Sequence, residues 1–236
     1  MNYQQIFERY EIKYLLTMRE KELILETMKP YMRLDNYGHS TIRNVYFDTD
    51  TFRLIRRSLE KPVYKEKLRV RSYKATKEDD DVFVELKKKY QSVVYKRRLV
   101  LTELQVIECF QKDLPLPVNS QIADEIEYFR NYYKPLYPKV FISYEREAYE
   151  MMDGSDFRVT FDENILYWED DFSFASEIYG MPILNEGVTL MEIKAPSAIP
   201  LWMSRQLTEM QLFKTSFSKY GLAYQDIFKN GGLKYA

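Results

Sequence analysis

The stretch KEKLRVRSY, residues 65–73, alternates with a period of two. Lys65, Lys67, Arg69 and Arg71 fall on one face of an extended strand, and Glu66, Leu68, Val70 and Ser72 on the other. FVELKKK (83–89) repeats the pattern, setting Phe83, Glu85, Lys87 and Lys89 against Val82, Val84, Leu86 and Lys88. Similar alternation predicts strands over 7–16, 42–48, 64–74, 82–90, 92–101, 139–150, 157–165 and 188–196. In 92–101, Lys96 and Arg98 share a face while Arg97 points the other way with Tyr95. Helical spacing predicts helices over 18–33, 49–60, 102–113, 120–134 and 198–211, and a closing helix that ends near 229. Thr102 and Ser120 are read as N-caps, and Pro115 and Pro117 separate two helices. Residues 167–187 read as irregular and acidic, and His39 as a loop residue.

Some eight strands joined by short turns and interrupted by helices predict an α+β fold with antiparallel pairing. Apolar strand faces packed under helices, with charged faces turned inward, predict an eight-stranded antiparallel β-barrel with a polar lumen. That lumen would hold Arg9, Lys13, Lys65, Lys67, Arg69, Arg71, Lys87, Arg146, Arg158 and Lys194, with Glu11, Glu85, Asp162 and Glu192. The alternative is an open sheet with a solvated outer face. Enclosed charges are costly unless water, carboxylates or an anion accompany them. Phosphate chains suit converging Arg and Lys best, because Arg forks bind their oxygens bidentately and Lys supplies point charge.

Composition narrows the choice. The chain of 236 residues reads as a single domain over 1–236, and seven glycines against 21 tyrosines favour long regular elements. The net charge of −1 excludes nonspecific nucleic-acid binding through overall charge. One cysteine, Cys109, excludes an intramolecular disulfide framework and fits a reducing cytoplasm. No apolar run reaches the ~20 residues of a membrane span, and the opening MNYQQIFERYE does not read as a signal peptide. With His39 as the only histidine, His-based zinc sites are excluded. There is no Walker loop and no GxGxxG stretch. Glu192 reads either as a ligand for Mg²⁺ or Mn²⁺ beside phosphate oxygens or as a salt-bridge partner of Lys194 or a lumen Arg. Glu11 and Glu85 are weaker candidates of the same kind.

Arg9-x-Glu11-x-Lys13 resembles the opening Glu-x-Glu-x-Lys strand of the triphosphate tunnel metalloenzymes, the CYTH-like superfamily. KLRVRSY (67–73), VELKKK (84–89), SYEREAY (143–149), FRVTFD (157–162), MEIKAP (191–196) and FSKYG (217–221) resemble its VTC branch. VTC is the polyphosphate polymerase domain of the vacuolar transporter chaperone complex, with free-standing bacterial relatives. The resemblance covers about residues 5–228. It implies a triphosphate-tunnel barrel with helices packed outside and a C-terminal helix. It also implies phosphate contacts from Lys13, Arg69, Arg71, Lys87, Arg146, Arg158 and Lys194, the first six read as catalytic, a phosphate-binding pair Ser218 and Lys219, and metal binding at Glu192; Lys67, from the lumen reading, joins the phosphate-binding residues. The implied activity is ATP-dependent polyphosphate synthesis with Mn²⁺ or Mg²⁺, and the implied context allows a membrane-protein partner. The alternatives are a tripolyphosphatase or nucleoside triphosphatase, and a non-catalytic polyphosphate or inositol-phosphate sensor. Arg9 stands where the family opening has Glu, which removes one carboxylate from the two-metal arrangement of hydrolytic members and moves the reading toward polyphosphate.

Overall fold

The computed structural model describes residues 10–91 and 93–231. Among them, nine strands and six helices alternate in the order β1 (Tyr10–Thr17), α1 (Met18–Met28), β2 (Met32–Asp48), α2 (Arg53–Leu59), β3 (Tyr64–Ser72), β4 (Asp81–Tyr90), β5 (Val93–Thr102), α3 (Glu103–Gln111), α4 (Gln121–Tyr133), β6 (Tyr137–Met151), β7 (Arg158–Trp168), β8 (Met181–Pro182), β9 (Val188–Ala195), α5 (Leu201–Glu209) and α6 (Lys219–Gly231). Hydrogen-bonded neighbours follow the path β1-β9-β7-β6-β2-β3-β4-β5, with the two-residue β8 on β7. This is the expected α+β fold with its antiparallel sheet and C-terminal helix. The ladder path ends on β1 and β5, so among the described residues hydrogen bonding does not close the ring.

The chain forms two compact units, neither of them a continuous stretch. One comprises the segment up to Thr41 with Tyr144–Ile165 and Pro182–Phe217; the other comprises Ile42–Ser143, Leu166–Met181 and the segment from Ser218. Strands β2, β6 and β7 each run from one unit into the other.

In the first unit, Tyr14 and Leu16 of β1, Val159 and Phe161 of β7, and Met191 and Ile193 of β9 bury one strand face against Ile24 and Met28 of α1 and Met203 and Leu207 of α5. Helix α1 starts at a capping box in which Thr17 and Glu20 satisfy each other's backbone N–H groups. In the second unit, Leu68 and Val70 of β3, Val82, Val84 and Leu86 of β4, and Leu99 and Leu101 of β5 pack under Val106 of α3 and Ile126 and Phe129 of α4. In these two clusters the buried apolar residues of β1, β3, β4, β5, β7 and β9 face the helices, and the charged residues that alternate with them face the opposite way. Asp48 ties three elements together. It accepts from Leu54 N and Ile55 N at the start of α2 (2.9 and 3.0 Å) and from the Tyr220 hydroxyl of α6 (2.9 Å).

The stretch read as irregular, 167–187, holds the end of β7 and the two-residue β8, the helix read over 49–60 starts at Arg53, and two elements differ more. Helix α1 stops at Met28, five residues early: Lys29 still has helical backbone angles and donates to Leu25 O, but Pro30 supplies no N–H to carry the ladder on. The strand expected over 42–48 begins instead at Met32 and runs for 17 residues, which puts His39 in β2 rather than in a loop. The run LDNYGHST shows no apolar alternation because this end of β2 buries neither face. At Gly180, φ is +109° and an added Cβ would lie 2.3 Å from the carbonyl oxygen of Tyr167, so only glycine fits.

Candidate functional site

Register decides which charges meet. In the second unit, Lys65 lies opposite Lys89, Lys67 opposite Lys87, Arg69 opposite Glu85 and Arg71 opposite Phe83. Across the next ladder, Glu85 lies opposite Arg98 and Lys87 opposite Lys96. Directly opposed residues in an antiparallel pair share a face. Lys65, Lys67, Arg69, Arg71, Lys87, Lys89, Lys96 and Arg98 thus share theirs with two carboxylates of these strands, Glu85 in their midst and the exposed Asp81 at one end.

Glu85 is 1% exposed and is the hub of this face. Arg69 donates to one of its oxygens through Nε and Nη2 (2.9 and 2.8 Å), and Arg98 to the other through Nε and Nη2 (2.8 and 2.5 Å). Lys96 Nζ lies 2.7 Å from the Arg98-bound oxygen. Burial alone would raise the Glu85 carboxyl, but Arg69, Arg71 and Lys96 hold it well below the usual carboxylate range. Arg71, almost fully buried, donates from Nε to Asn44 Oδ1 (2.9 Å), and Arg69 donates to the Tyr46 hydroxyl (3.0 Å). Two carboxylates cannot neutralise eight cations, and the lysines register the excess. Burial, then Lys89 and Lys87, pull Lys65 below the ordinary lysine value. Burial, reinforced by Arg98 and Arg69, brings Lys96 down to about 8 against the pull of Glu85.

Helix α6 begins beside this face. Ser218 caps it, its Oγ accepting from Gly221 N (3.1 Å) and from Lys67 Nζ (2.9 Å). An added Cβ at Gly221 would come within 3.1 Å of Ser218 Oγ and 3.0 Å of Leu59, so glycine keeps the cap close. Tyr220 stacks on Tyr46, the strand neighbour of Arg69, with ring centroids 4.6 Å apart.

In the first unit a second group forms across β1, β9 and β7. Lys13 lies opposite Glu192 and Glu11 opposite Lys194; on the other side Thr160 lies opposite Glu192 and Arg158 opposite Lys194. Glu192, 8% exposed, is held by Lys194 Nζ at 3.0 Å and Lys13 Nζ at 3.5 Å. Lys13 also donates to the carbonyl of Phe217 (2.8 Å). The buried hydroxyl of Thr160 has no protein hydrogen-bond partner. Arg146 forks onto the fully buried Asp162 at 2.6 and 2.7 Å. Burial would lower this guanidinium's pKa, but Asp162 more than offsets it and keeps Arg146 charged.

The VTC domain family model matches residues 8–228. The chain belongs to the VTC domain family. The fold agrees with the solved structure of a candidate adenylate cyclase from Bacillus halodurans, at TM-score 0.57 and 14% identity over 91% of this chain and 94% of that one. A candidate adenylate cyclase from Vibrio parahaemolyticus aligns at TM-score 0.48 and 11% identity over 94% of this chain and 99% of that one. Nothing among the curated proteins matches the chain.

This VTC domain places Lys67, Arg69, Arg71, Lys87 and Ser218 together in one unit, with Lys219 in the first turn of α6. Lys13, Arg146, Arg158, Lys194, Glu11 and Glu192 belong to the other. Arg158 is the outlier of its group, with half its side chain exposed beside Asp156. Glu85, an expected metal-binding carboxylate, has both oxygens taken by cations. Arg9 lies outside the described residues. The sequence reading left Lys89, Lys96 and Arg98 out of the site, although the period of two in SVVYKRRLVL already set Lys96 and Arg98 on one face. Arg97 points the other way, to Glu125 of α4 (3.1 Å).

The donor set fits a hard divalent cation held partly by its phosphate ligand. Glu192 would bring one carboxylate, whose oxygens face Lys194 at 3.0 Å and Lys13 at 3.5 Å, and Thr160 an unpartnered oxygen directly across the ladder. Among the described residues no group of three or more His, Cys, Asp or Glu is placed to hold a metal unaided.

The low value at Lys96 gives a pH signature. A bound anion favours the ammonium form, so binding above pH 8 takes up a proton and weakens as pH rises from about 8 toward 10.5. Without ligand the sign reverses. The unfolded chain holds this proton up to the ordinary lysine value, so the charging penalty is full below pH 8 and fades between about 8 and 10.5. Calorimetric titration of tripolyphosphate at pH 9 in buffers of differing ionisation enthalpy should show net proton uptake.

Proposed function

We propose that this VTC domain carries out metal-dependent phosphoryl transfer on a triphosphate or polyphosphate, as an ATP-dependent polyphosphate polymerase. The observation that carries this reading is the face of β3, β4 and β5, where eight cations stand against two carboxylates, Glu85 in their midst and Asp81 at one end. Such a surplus calls for a polyanion, and bidentate Arg with flanking Lys matches phosphate oxygens.

In the transfer, a terminal oxygen of the growing chain bonds to the γ-phosphorus of ATP. The bond from that phosphorus to the β–γ bridging oxygen breaks, and its electron pair leaves with ADP. Little covalent chemistry falls to the protein, which positions the phosphates and neutralises their charge. Arg69, Arg71, Lys67 and Lys87 hold phosphate oxygens, while Glu85 keeps Arg69 and Arg98 oriented before substrate arrives. Ser218, pinned between Lys67 and Gly221 N, and Lys219 extend the binding surface at the start of α6. Lys13, Arg146, Arg158 and Lys194 supply further phosphate contacts in their own unit. Mg²⁺ or Mn²⁺, held by Glu192 with Glu11 on the neighbouring strand, would add positive charge against phosphate oxygens.

No helix among the described residues is long and apolar enough to cross a membrane. The buried, unbridged Cys109 accords with a reducing compartment, and we place the reaction in the cytoplasm.

ATP labelled at the γ-phosphate, incubated with Mn²⁺ or Mg²⁺, tests the reading. Label should enter long chains while ADP accumulates. Label released only as orthophosphate would make the protein a hydrolase; binding without turnover under any divalent metal would make it a sensor.

A further inference from the structure

One end of the cationic face changes chemistry. The ladder rows run from Lys65 and Lys89, through Lys67, Lys87 and Lys96, to Arg69, Glu85 and Arg98, and then to Arg71, Phe83 and Val100. Rows two residues apart are about 7 Å apart, so the face is about 20 Å long. Only the row of Arg71, Phe83 and Val100 is apolar on both β4 and β5, and beyond it the ladder ends on Asp81 and Thr102. Phe83 meets the ring of Tyr73 edge-on, with centroids 5.4 Å apart and planes at 72°. Beside them Val100 is 48% exposed, as is 38% of Tyr73. These rings stand on the charged side of the sheet, away from the helices that bury the apolar side.

Both rings are braced by cations of the phosphate-binding rows. The Arg98 guanidinium lies 4.5 Å from the centroid of Phe83 and 5.9 Å from that of Tyr73, and donates to the Tyr73 hydroxyl (2.9 Å). Arg71 lies 5.9 Å from the Tyr73 ring. Aromatic rings with an arginine beside them supply the stacking and cation–π contacts on which bases rest in sequence-tolerant recognition. Inorganic phosphate has no use for such a surface; the base of a nucleoside triphosphate does.

We infer that Tyr73, Phe83 and Arg98 form a nucleobase-stacking subsite at one end of the phosphate-binding face. This rests on the reading of that face as a triphosphate site and adds a direction to it. The nucleoside lies at the Phe83 row, and the phosphates extend over Arg69, Lys87 and Lys67, which turns the γ-phosphate toward the Ser218 end. Because every base has a π-face, the platform takes purines with little choice between them.

Metal-free titrations of ATP, GTP and tripolyphosphate into the parent protein and into Tyr73→Ala, Tyr73→Phe and Phe83→Leu test this, with thermal melts checking the fold. Tyr73→Ala and Phe83→Leu should each weaken ATP and GTP about tenfold or more and leave tripolyphosphate unchanged. Tyr73→Phe, which keeps the ring, should stay close to the parent. Equal losses for ATP and tripolyphosphate, or no loss for ATP in either ring variant, would overturn the subsite while leaving the phosphate face standing. A folded parent that binds none of the three ligands overturns the phosphate reading and the subsite with it.

Discussion

Glu192→Gln is expected to abolish divalent-metal-dependent turnover of ATP while leaving metal-free tripolyphosphate binding as tight as in the parent, or tighter. The two effects separate because Glu192 has two kinds of neighbour. Toward a metal it is the one buried carboxylate facing the unpartnered Thr160 hydroxyl. Toward its own chain it is an anion between Lys13 and Lys194. Gln keeps the shape and removes the charge, so a metal held there would lose its carboxylate while both ammonium groups would become available to phosphate. The check is a pair of measurements on parent and variant: turnover against Mn²⁺ concentration, and calorimetric titration of tripolyphosphate without metal. Full Mn²⁺-dependent turnover in the variant would remove Glu192 from the metal site.

Glu85→Gln should give the largest change in stability, in a direction that ligand reverses. Removing one partner of a buried ion pair costs about 3–5 kcal/mol, because the other charge is left uncompensated. Here the stranded partners are Arg69, Lys96 and Arg98, whose side chains are 20%, 44% and 34% exposed. Solvent screens part of their repulsion, so the expected loss is about 2–3 kcal/mol. A bound polyanion does for these cations what the carboxylate did. Millimolar tripolyphosphate should therefore raise the melting temperature of Glu85→Gln more than that of the parent. A variant as stable as the parent, or no more responsive to tripolyphosphate, would mean that Glu85 is not what holds the cations in place.

The alternation of KEKLRVRSY and FVELKKK was sufficient to predict neighbouring strands with charges on one side, because period-two patterning is a local property. It also placed Arg97 apart from Lys96 and Arg98, as the Arg97–Glu125 contact bears out. What periodicity cannot carry is register. Glu85 reads from sequence as one carboxylate among four; only the pairing with Arg69 on one side and Arg98 on the other makes it a hub. The same holds for Glu192, whose two open readings turned on which residues lay across β1 and β7. The polar half of β2, from Arg33 to Thr41, was illegible because a strand with both faces in water loses the apolar spacing that marks a strand. The link from Lys67 to Ser218 spans 151 residues, and sequence spacing gives no hint of it.

The face of β3, β4 and β5 is expected to bind a phosphate chain through its arginines. Calorimetric titration of tripolyphosphate into the parent and Arg69→Ala, without metal and at low salt, tests it most directly. Arg69 touches Glu85 and Tyr46 and stands in the middle row of the face. Losing a charge-assisted contact of this type costs roughly 1.5–3 kcal/mol, so Arg69→Ala should bind about one to two decades more weakly while remaining folded. Identical affinities in the two proteins, or no binding by a folded parent, would contradict the account.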